Sequence, residues 1–311
     1  MKLSFVIPVF RNEGSIIPTY KKLIVLLEQL KIEPEFIFVN DGSDDNSLGE
    51  LMQLHWKDLN VKVISFSRNF GQVAAIIAGL KEVSGDAVVI MSADLQEPIE
   101  LISEMIAKWK SGNEIVIGHR IDREDGFIAN TASTLFYKLM RHVNPKMPKG
   151  GFDFMLIDKK ALKSLNQIDE RNRFFQGDIL WLGFNTAFIP YTRLKRTIGK
   201  SQWTLAKKLK YFIDGLLNTS YAPIRLMSLL GIGFSFLGFL YAIDIAYNRF
   251  IHNTPFTGWA PIMILILIIG GLIMLMLGII GEYVWRTYDE TRKRPLYIIK
   301  DKFIKEDEEN N

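Results

Sequence analysis

Five short clusters of carboxylates, amides and arginines punctuate the first half of the chain, each placed just after an apolar run. They are Arg11-Asn12-Glu13, the stretch Asn40 to Asp45 (NDGSDD), Arg68-Asn69, Asp94-Leu95-Gln96-Glu97, and Arg120 with Asp122 and Arg123. One such cluster alone reads as a solvated turn. Five in the same setting imply a site. Asp94 and Gln96, spaced D-x-Q, offer the hard oxygen ligands that Mg²⁺ or Mn²⁺ takes. Such a cation neutralises charge developing on a leaving diphosphate. Arg68, Arg120 and Arg123 supply forked donors suited to phosphate. Together these residue types point to a nucleotide diphosphate held through a divalent cation.

Other chemistries are excluded by what is missing. With no Cys and only 4 His, none at metal-ligand spacing, a thiolate or imidazole metal site and a cysteine nucleophile drop out. No G-x-G-x-x-G follows the first apolar run and no G-x-x-x-x-G-K-[ST] occurs anywhere, so dinucleotide and P-loop readings lose their support. A net charge of +4 is too mild to argue for nucleic acid.

The elements that must position these clusters are legible from periodicity. Strands are expected at Leu3–Val9, Phe36–Val39, Val61–Phe66, Ala87–Met91 and Ile115–Ile117, and helices from a Ser15 cap to Leu30, over Gln72–Val83 and over Pro98–Ser111. The start, MKLSFVIPVF, is too short and too interrupted by Pro8 for a signal-peptide core and reads as a buried strand. Alternation at this spacing argues an α/β domain with a mostly parallel sheet, helices on both faces, and ligands beyond the carboxyl ends of the strands.

A mean hydropathy of +0.11 in a chain with 23% charged residues implies an uneven distribution. Leu226–Tyr247 carries one charge, Asp244, and Ala260–Gly281 carries none. Each is close to the ~20 residues that cross a bilayer as a helix. Small residues along them (Gly231, Gly233, Ser235, Gly238; Gly270, Gly271, Gly278) would let helices approach closely. The connecting segment has one basic residue, Arg249, whereas the stretch after Gly281 has seven. The positive-inside rule then puts both termini in the cytoplasm, with the basic tail against anionic lipid. The expected organisation is a cytoplasmic domain over 1–225, a transmembrane hairpin over 226–281 and a basic then acidic tail over 282–311. Phe127–Val143 and Leu205–Leu217 mix lysines or arginines with large apolar residues and read as interfacial amphipathic helices.

In order along the chain, FVIPVFRNEGSI, FVNDGSDDNS, SFSRNFGQVAAIIAGL and MSADLQEP resemble the nucleotide-sugar-binding half of family 2 glycosyltransferases. GHRIDR, FDFMLIDKK, FFQGDILWLGF, RTIGKSQWT and the closing GEYVWRTYDETRKRPLYII extend the resemblance to their polyprenyl-phosphate branch, over essentially the whole chain. The resemblance implies a GT-A, Rossmann-like domain followed by two transmembrane helices. It implies inverting transfer from a nucleotide sugar, expected to be a UDP-sugar, to undecaprenyl phosphate, giving a lipid-linked sugar for cell-envelope glycan modification. It also implies a homotetramer. Carried over by position, Pro8, Phe10, Glu13, Asp41, Ser43 and Arg68 would bind the nucleotide, and Asp94 and Gln96 the metal. Asp94, Asp153 and Arg196 would form the catalytic set, and Arg196 and Ser201 would contact phosphate. Ser92 stands where the family often has a carboxylate, and Met155 where an arginine often follows the Asp-Phe pair. Arg120, Arg123 and Lys200 therefore join Ser201 as candidates for the acceptor phosphate.

A phosphate monoester with a second pKa of ~6 is already largely ionised at pH 7, so its attack on a sugar needs no strong base. Asp153 is accordingly expected to orient sugar or acceptor. Two competing functions fit the sequence less well. A processive polysaccharide synthase would need more spans and a Q-x-x-R-W motif, neither of which is found. A catalytically silent nucleotide-sugar-binding subunit is favoured only by Ser92.

Overall fold

The computed structural model describes residues 1–121, 141, 145–148, 151–194, 217, 222–252 and 258–304. The chain divides into two compact units, Met1–Gly215 with Pro295–Asn311, and Leu216–Arg294.

In the first unit, strand β1 (Lys2–Val9) is followed by α1 (Ile16–Leu30), β2 (Glu33–Asn40), α2 (Ser47–Lys57), β3 (Val61–Phe66), α3 (Gln72–Leu80), β4 (Ala87–Ile90), α4 (Leu101–Lys110) and β5 (Ile115–Arg120). Then come β6 (Phe154–Asp158), α5 (Lys159–Leu165), α6 (Phe175–Trp181), β7 (Thr186–Tyr191) and, near the C-terminus, β8 (Ile299–Phe303). The eight strands form one sheet in the order β7-β5-β6-β4-β1-β2-β3-β8. β4, β1, β2 and β3 run parallel, as do β5 and β7, while β6 and β8 are antiparallel to their neighbours. The mostly parallel α/β sheet expected from sequence is therefore observed, with two reversed strands added.

Alternation decides which side chains face which layer. Leu3, Phe5, Ile7 and Val9 of β1 pack with Phe36 and Phe38 of β2 and with Leu23 and Leu27 of α1 in the main core. Phe5 stacks on Phe36 at 5.4 Å between ring centroids. On the other face α3 lies close to the sheet at Gly79, where an added Cβ would sit 2.6 Å from Val6. The α1 helix buries Ile16, Thr19, Leu23 and Leu27 and ends at Lys31, which adopts a left-handed φ of 52°. Ser15 does precede it, but its hydroxyl donates to the Asn12 carbonyl (2.8 Å) and caps no helical N–H. The helices expected to reach Val83 and to begin at Pro98 are shorter, because Glu82 and Leu101 donate into turns at Gly79 and Pro98. The fifth strand extends past Ile117 to Arg120 through its pairing with β7.

The tail expected over 282–311 does not stand apart. Ile299–Phe303 pairs antiparallel with β3, and Tyr297 stacks on Phe66 at 5.0 Å. Lys302, expected to meet anionic lipid, instead pairs with Glu82 at 2.8 Å.

The second unit holds α7 (Ala222–His252) and α8 (Trp259–Thr291). Within them, Ile224–Ile245 and Ile268–Thr291 have mean hydropathies of 2.0 and 1.9 and are long and apolar enough to cross a membrane. Side chains such as Phe236, Leu237, Met274 and Leu277 are exposed. The helix expected to stop at Gly281 runs ten residues further, with Glu282 and Arg286 paired one turn apart at 3.1 Å. A Cβ added at any of the six glycines expected to bring helices together would meet nothing within 4 Å beyond its own stretch of helix backbone, among the described residues.

At the amino end of the sheet, buried Glu35 ties three strands together. It accepts from Ser4 and Ser84 and from Lys62 at 2.7 Å. Burial alone would raise its pKa; these donors outweigh it and hold the carboxyl near 2 instead of 4.5. That stabilisation is fully present above pH 4.5 and is lost as pH falls toward 2. Glu35→Gln is expected to cost on the order of 2 kcal/mol at pH 7, after allowance for solvent screening. Thermal melting of the full chain in detergent should show a lowered midpoint at pH 7 and a shrinking difference from wild type toward pH 3.

Candidate active site

The carboxyl ends of the parallel strands converge on one edge. Val9 and Asn40 lie in register at the ends of β1 and β2, and Asp41 donates its N–H to the Val9 carbonyl at 2.8 Å. The Asp41 carboxylate is buried and turned toward the loop after β3. It accepts from the N–H groups of Phe70 (2.6 Å) and Gly71 (2.9 Å) and from the Asn69 amide (2.8 Å). Gly42 lets this happen: its φ is +64°, and a Cβ there would lie 2.3 Å from the Arg68 carbonyl carbon. Asp41, expected to line a nucleoside, thus also anchors the loop that presents Arg68. Arg68 is exposed, with its guanidinium 4.1 Å from the centre of the Phe70 ring.

The β1–α1 and β2–α2 loops are fastened to each other. Ser43 accepts from the Arg11 N–H (3.1 Å), Ser47 from Asn12 (2.9 Å), Glu50 from Gly14 (2.7 Å), and Glu13 accepts from Asn46 (3.3 Å). Pro8 and Phe10 are half-buried beside them. All six residues expected at the nucleotide therefore lie at the ends of β1, β2 and β3.

The second group gathers at the ends of β4 and β5. Asp94 and Glu97 are buried, and Leu95 between them has a φ of +57°. Such a conformation in a branched residue is held only by its surroundings. Ser92 bonds both carboxylates: its hydroxyl lies 3.0 Å from Asp94 and in short contact with Glu97. Burial, then the Asp94 charge, push the Glu97 pKa up and favour the neutral acid. A neutral Glu97 can donate a hydrogen bond to the Ser92 hydroxyl, which leaves that hydroxyl to donate to Asp94. The carboxylate missing at Ser92 is thus replaced by a hydroxyl bridge to a third acidic residue.

Antiparallel pairing of β5 with β6 sets Arg120 opposite the residues just before Phe154. Arg120 and Asp153 form an ion pair at 2.7 Å, and Gln176 of α6 reaches the Phe152 carbonyl (2.6 Å) and Asp153 (3.4 Å). Burial alone would lower the Arg120 pKa; Asp153, Tyr191 and Glu97 outweigh it and raise it, so the guanidinium stays charged. Tyr191 closes the group from β7, its phenol pushed up to about 12 mainly by burial.

Among the described residues no three His, Cys, Asp or Glu side chains converge as a ready metal cage. The donor set still fits a cation held by substrate phosphates and one protein carboxylate, Asp94, the mode usual for Mg²⁺. Gln96 is less free for such a role: its amide nitrogen donates to the Leu194 carbonyl at 3.3 Å, leaving the amide oxygen as a ligand. Arg123, Arg196, Lys200 and Ser201 lie outside the described residues, as do nearly all of the two amphipathic stretches. Sequence reasoning passed over Gln176, Tyr191 and Arg193 as site residues. The first sat inside a quoted motif; the other two lie just upstream of RTIGKS, with no pattern of their own.

A family model, glycosyl transferase family 2, matches residues 4–165. The chain is a family 2 glycosyltransferase. It is 39% identical over 302 residues to a glycosyltransferase of Bacillus subtilis named YkcC, covering 96% of this chain and 94% of that one. It is 36% identical over 303 residues to a prophage bactoprenol glucosyl transferase homolog of Escherichia coli K12, covering 96% and 99%. Mannosyl-3-phosphoglycerate synthase from Rubrobacter xylanophilus shares the fold, with a TM-score of 0.54 at 16% identity over 73% of this chain and 74% of that one. So does glucosyl-3-phosphoglycerate synthase from Mycobacterium tuberculosis, solved with Mn²⁺, UDP-glucose and phosphoglyceric acid (TM-score 0.50, 18% identity, 68% and 76% covered). The GT-A architecture expected of the glycosyltransferase is thereby shown.

Removing the Asp41 carboxylate strands two backbone donors in this enzyme. Asp41→Ala is expected to lower stability by about 2 to 3 kcal/mol and to weaken nucleotide binding. Thermal melting and a UDP titration check the two effects separately.

Proposed function

We propose that this glycosyltransferase moves a sugar from a UDP-sugar to undecaprenyl phosphate at the cytoplasmic face of the membrane, with inversion at the anomeric carbon. The observation that carries this reading is the meeting of Asp94 with the Arg120–Asp153 pair at one sheet edge. The same chain ends in two long, exposed apolar helices. The full-length similarity to a protein named bactoprenol glucosyl transferase supports a polyprenyl-phosphate acceptor. On this reading residues 1–225 and both termini are cytoplasmic, residues 226–281 span the membrane, and the enzyme works as a homotetramer. The product serves cell-envelope glycan modification.

The chemistry follows from bringing two anions together. An acceptor phosphate oxygen attacks C1 of the sugar, the bond from C1 to the nucleotide diphosphate breaks, and UDP departs with that electron pair. A divalent cation at Asp94 with Gln96, Mg²⁺ or Mn²⁺, would supply charge neutralisation at the diphosphate. Pro8, Phe10, Glu13, Asp41, Ser43 and Arg68 bind the nucleotide. Arg120 draws the acceptor phosphate, with Arg123, Arg196, Lys200 and Ser201 as its further contacts. The acceptor arrives ionised, so no residue must take a proton. Asp153, already paired with Arg120, orients that guanidinium and the sugar.

Incubating the purified chain with undecaprenyl phosphate, Mg²⁺ and a panel of UDP- and GDP-sugars, with lipid products read by mass, tests the assignment. One UDP-sugar should give a lipid-linked sugar, and EDTA or Asp94→Asn should cut turnover by roughly a hundredfold. No lipid product from any donor would sink the proposal. Asp153→Asn should keep a measurable rate, on the order of a tenth of wild type. Complete loss of turnover with folding and UDP binding intact would overturn this orienting role.

A further inference from the structure

One cation at this edge has no assigned task. Strand β7 runs parallel to β5 with Arg120 opposite Tyr191, so residues 192–194 emerge at the same sheet edge as the site. The backbone there is fastened to the D-x-Q loop: Leu194 donates its N–H to the Gln96 carbonyl at 3.0 Å, and the Gln96 amide returns a bond to the Leu194 carbonyl at 3.3 Å. Arg193, the residue before that clasp, is half-buried, and its Nε is shut off from solvent without an acceptor among the described residues. Burial, then the Arg120 charge, lower its pKa, while Glu97, Asp94 and Asp153 raise it, so all four groups lie within its electrostatic reach.

Those carboxylates are engaged with other partners. Asp153 holds Arg120 and Gln176, Asp94 takes Ser92 and the Gln96 N–H, and Glu97 is bridged to Asp94 through the Ser92 hydroxyl. Arg193 therefore brings forked N–H donors and a positive charge to the site, and one of those donors is buried without an acceptor. A buried donor in this state costs free energy that an oxyanion would return.

We propose that Arg193 is a phosphate-binding residue of this active site, gripping an oxyanion of the substrates beside the Asp94–Gln96 loop. The oxyanion belongs to the diphosphate of the donor or to the phosphomonoester of the acceptor; the chemistry of the grip is the same. This role presupposes the transfer reaction proposed above. It goes beyond neutralising the neighbouring carboxylates: Arg193→Lys keeps the charge, so a loss of phosphate affinity in that variant reports the forked grip itself.

The test uses the full chain in detergent, titrated separately with UDP, farnesyl phosphate and, as a phosphate-free control, uridine. Arg193→Gln is expected to weaken one phosphate ligand by roughly tenfold or more and to leave uridine unchanged. Loss confined to UDP places the guanidinium on the leaving diphosphate; loss confined to farnesyl phosphate places it on the acceptor. Unchanged affinity for both, whether or not the melting temperature falls, overturns the proposal. Should Arg193→Gln fail to fold, Arg193→Lys keeps the charge but loses the fork. Weaker phosphate binding with uridine unchanged then supports the grip, and wild-type phosphate affinity overturns it. Wild-type protein that binds neither phosphate probe would sink the transfer reaction itself, and the Arg193 role with it.

Discussion

Four acidic side chains meet one edge of one sheet, and most of what surrounds them answers to that. Asp41, Asp94 and Glu97 are buried and Asp153 half-buried, where an uncompensated charge would cost several kcal/mol. Each is compensated differently. Asp41 takes backbone N–H groups, Asp94 a hydroxyl and an N–H, Glu97 leans to its neutral form, and Asp153 takes an arginine. The loops are shaped by these bonds. Gly42 sits against the Arg68 backbone because Asp41 must reach the N–H groups of Phe70 and Gly71.

On the proposed reading, the same compensation makes the edge receptive to phosphates. Carboxylates held by local donors leave arginines facing the same space, and a cation bound at Asp94 would add to them. A reaction between a phosphomonoester and a sugar diphosphate needs that balance: enough positive charge to bring two anions together, and no strong base. The Cys-free, His-poor composition is consistent with it.

The opposite edge has the complementary task of holding the strands in register. Glu35 joins β1, β2 and the turn at Ser84, and Lys62 joins it from β3. Beyond β3, the C-terminal strand covers what would be an open edge, and Tyr297 covers Phe66 at the start of the loop that Asp41 anchors. The chain thus returns from its apolar helices to complete the catalytic sheet.

How much of this the sequence carried depends on the range of the interaction. The apolar runs of β1 to β5, the helices between them and the polar clusters after each strand are local signals of periodicity, and they located Asp41, Asp94 and Arg120 at strand ends. The D-x-Q spacing and the two apolar helices are equally local. The partnership of Arg120 with Asp153, the bridge from Ser92 to Glu97 and the arrival of Tyr191 and Arg193 beside Asp94 are not. Arg193 stands some 100 residues from Asp94 in a segment without a motif, and only the parallel pairing of β7 with β5 brings it there. Ile299–Phe303 sets three consecutive charged residues between two apolar ones, with no strand periodicity of its own, and hydrogen bonds to β3 alone make it a strand. The sequence determined which residue types stand at the ends of its strands, because burial and periodicity act between near neighbours. Which of them share one charge-compensated site was decided by strand order, because backbone hydrogen bonds between distant segments set it.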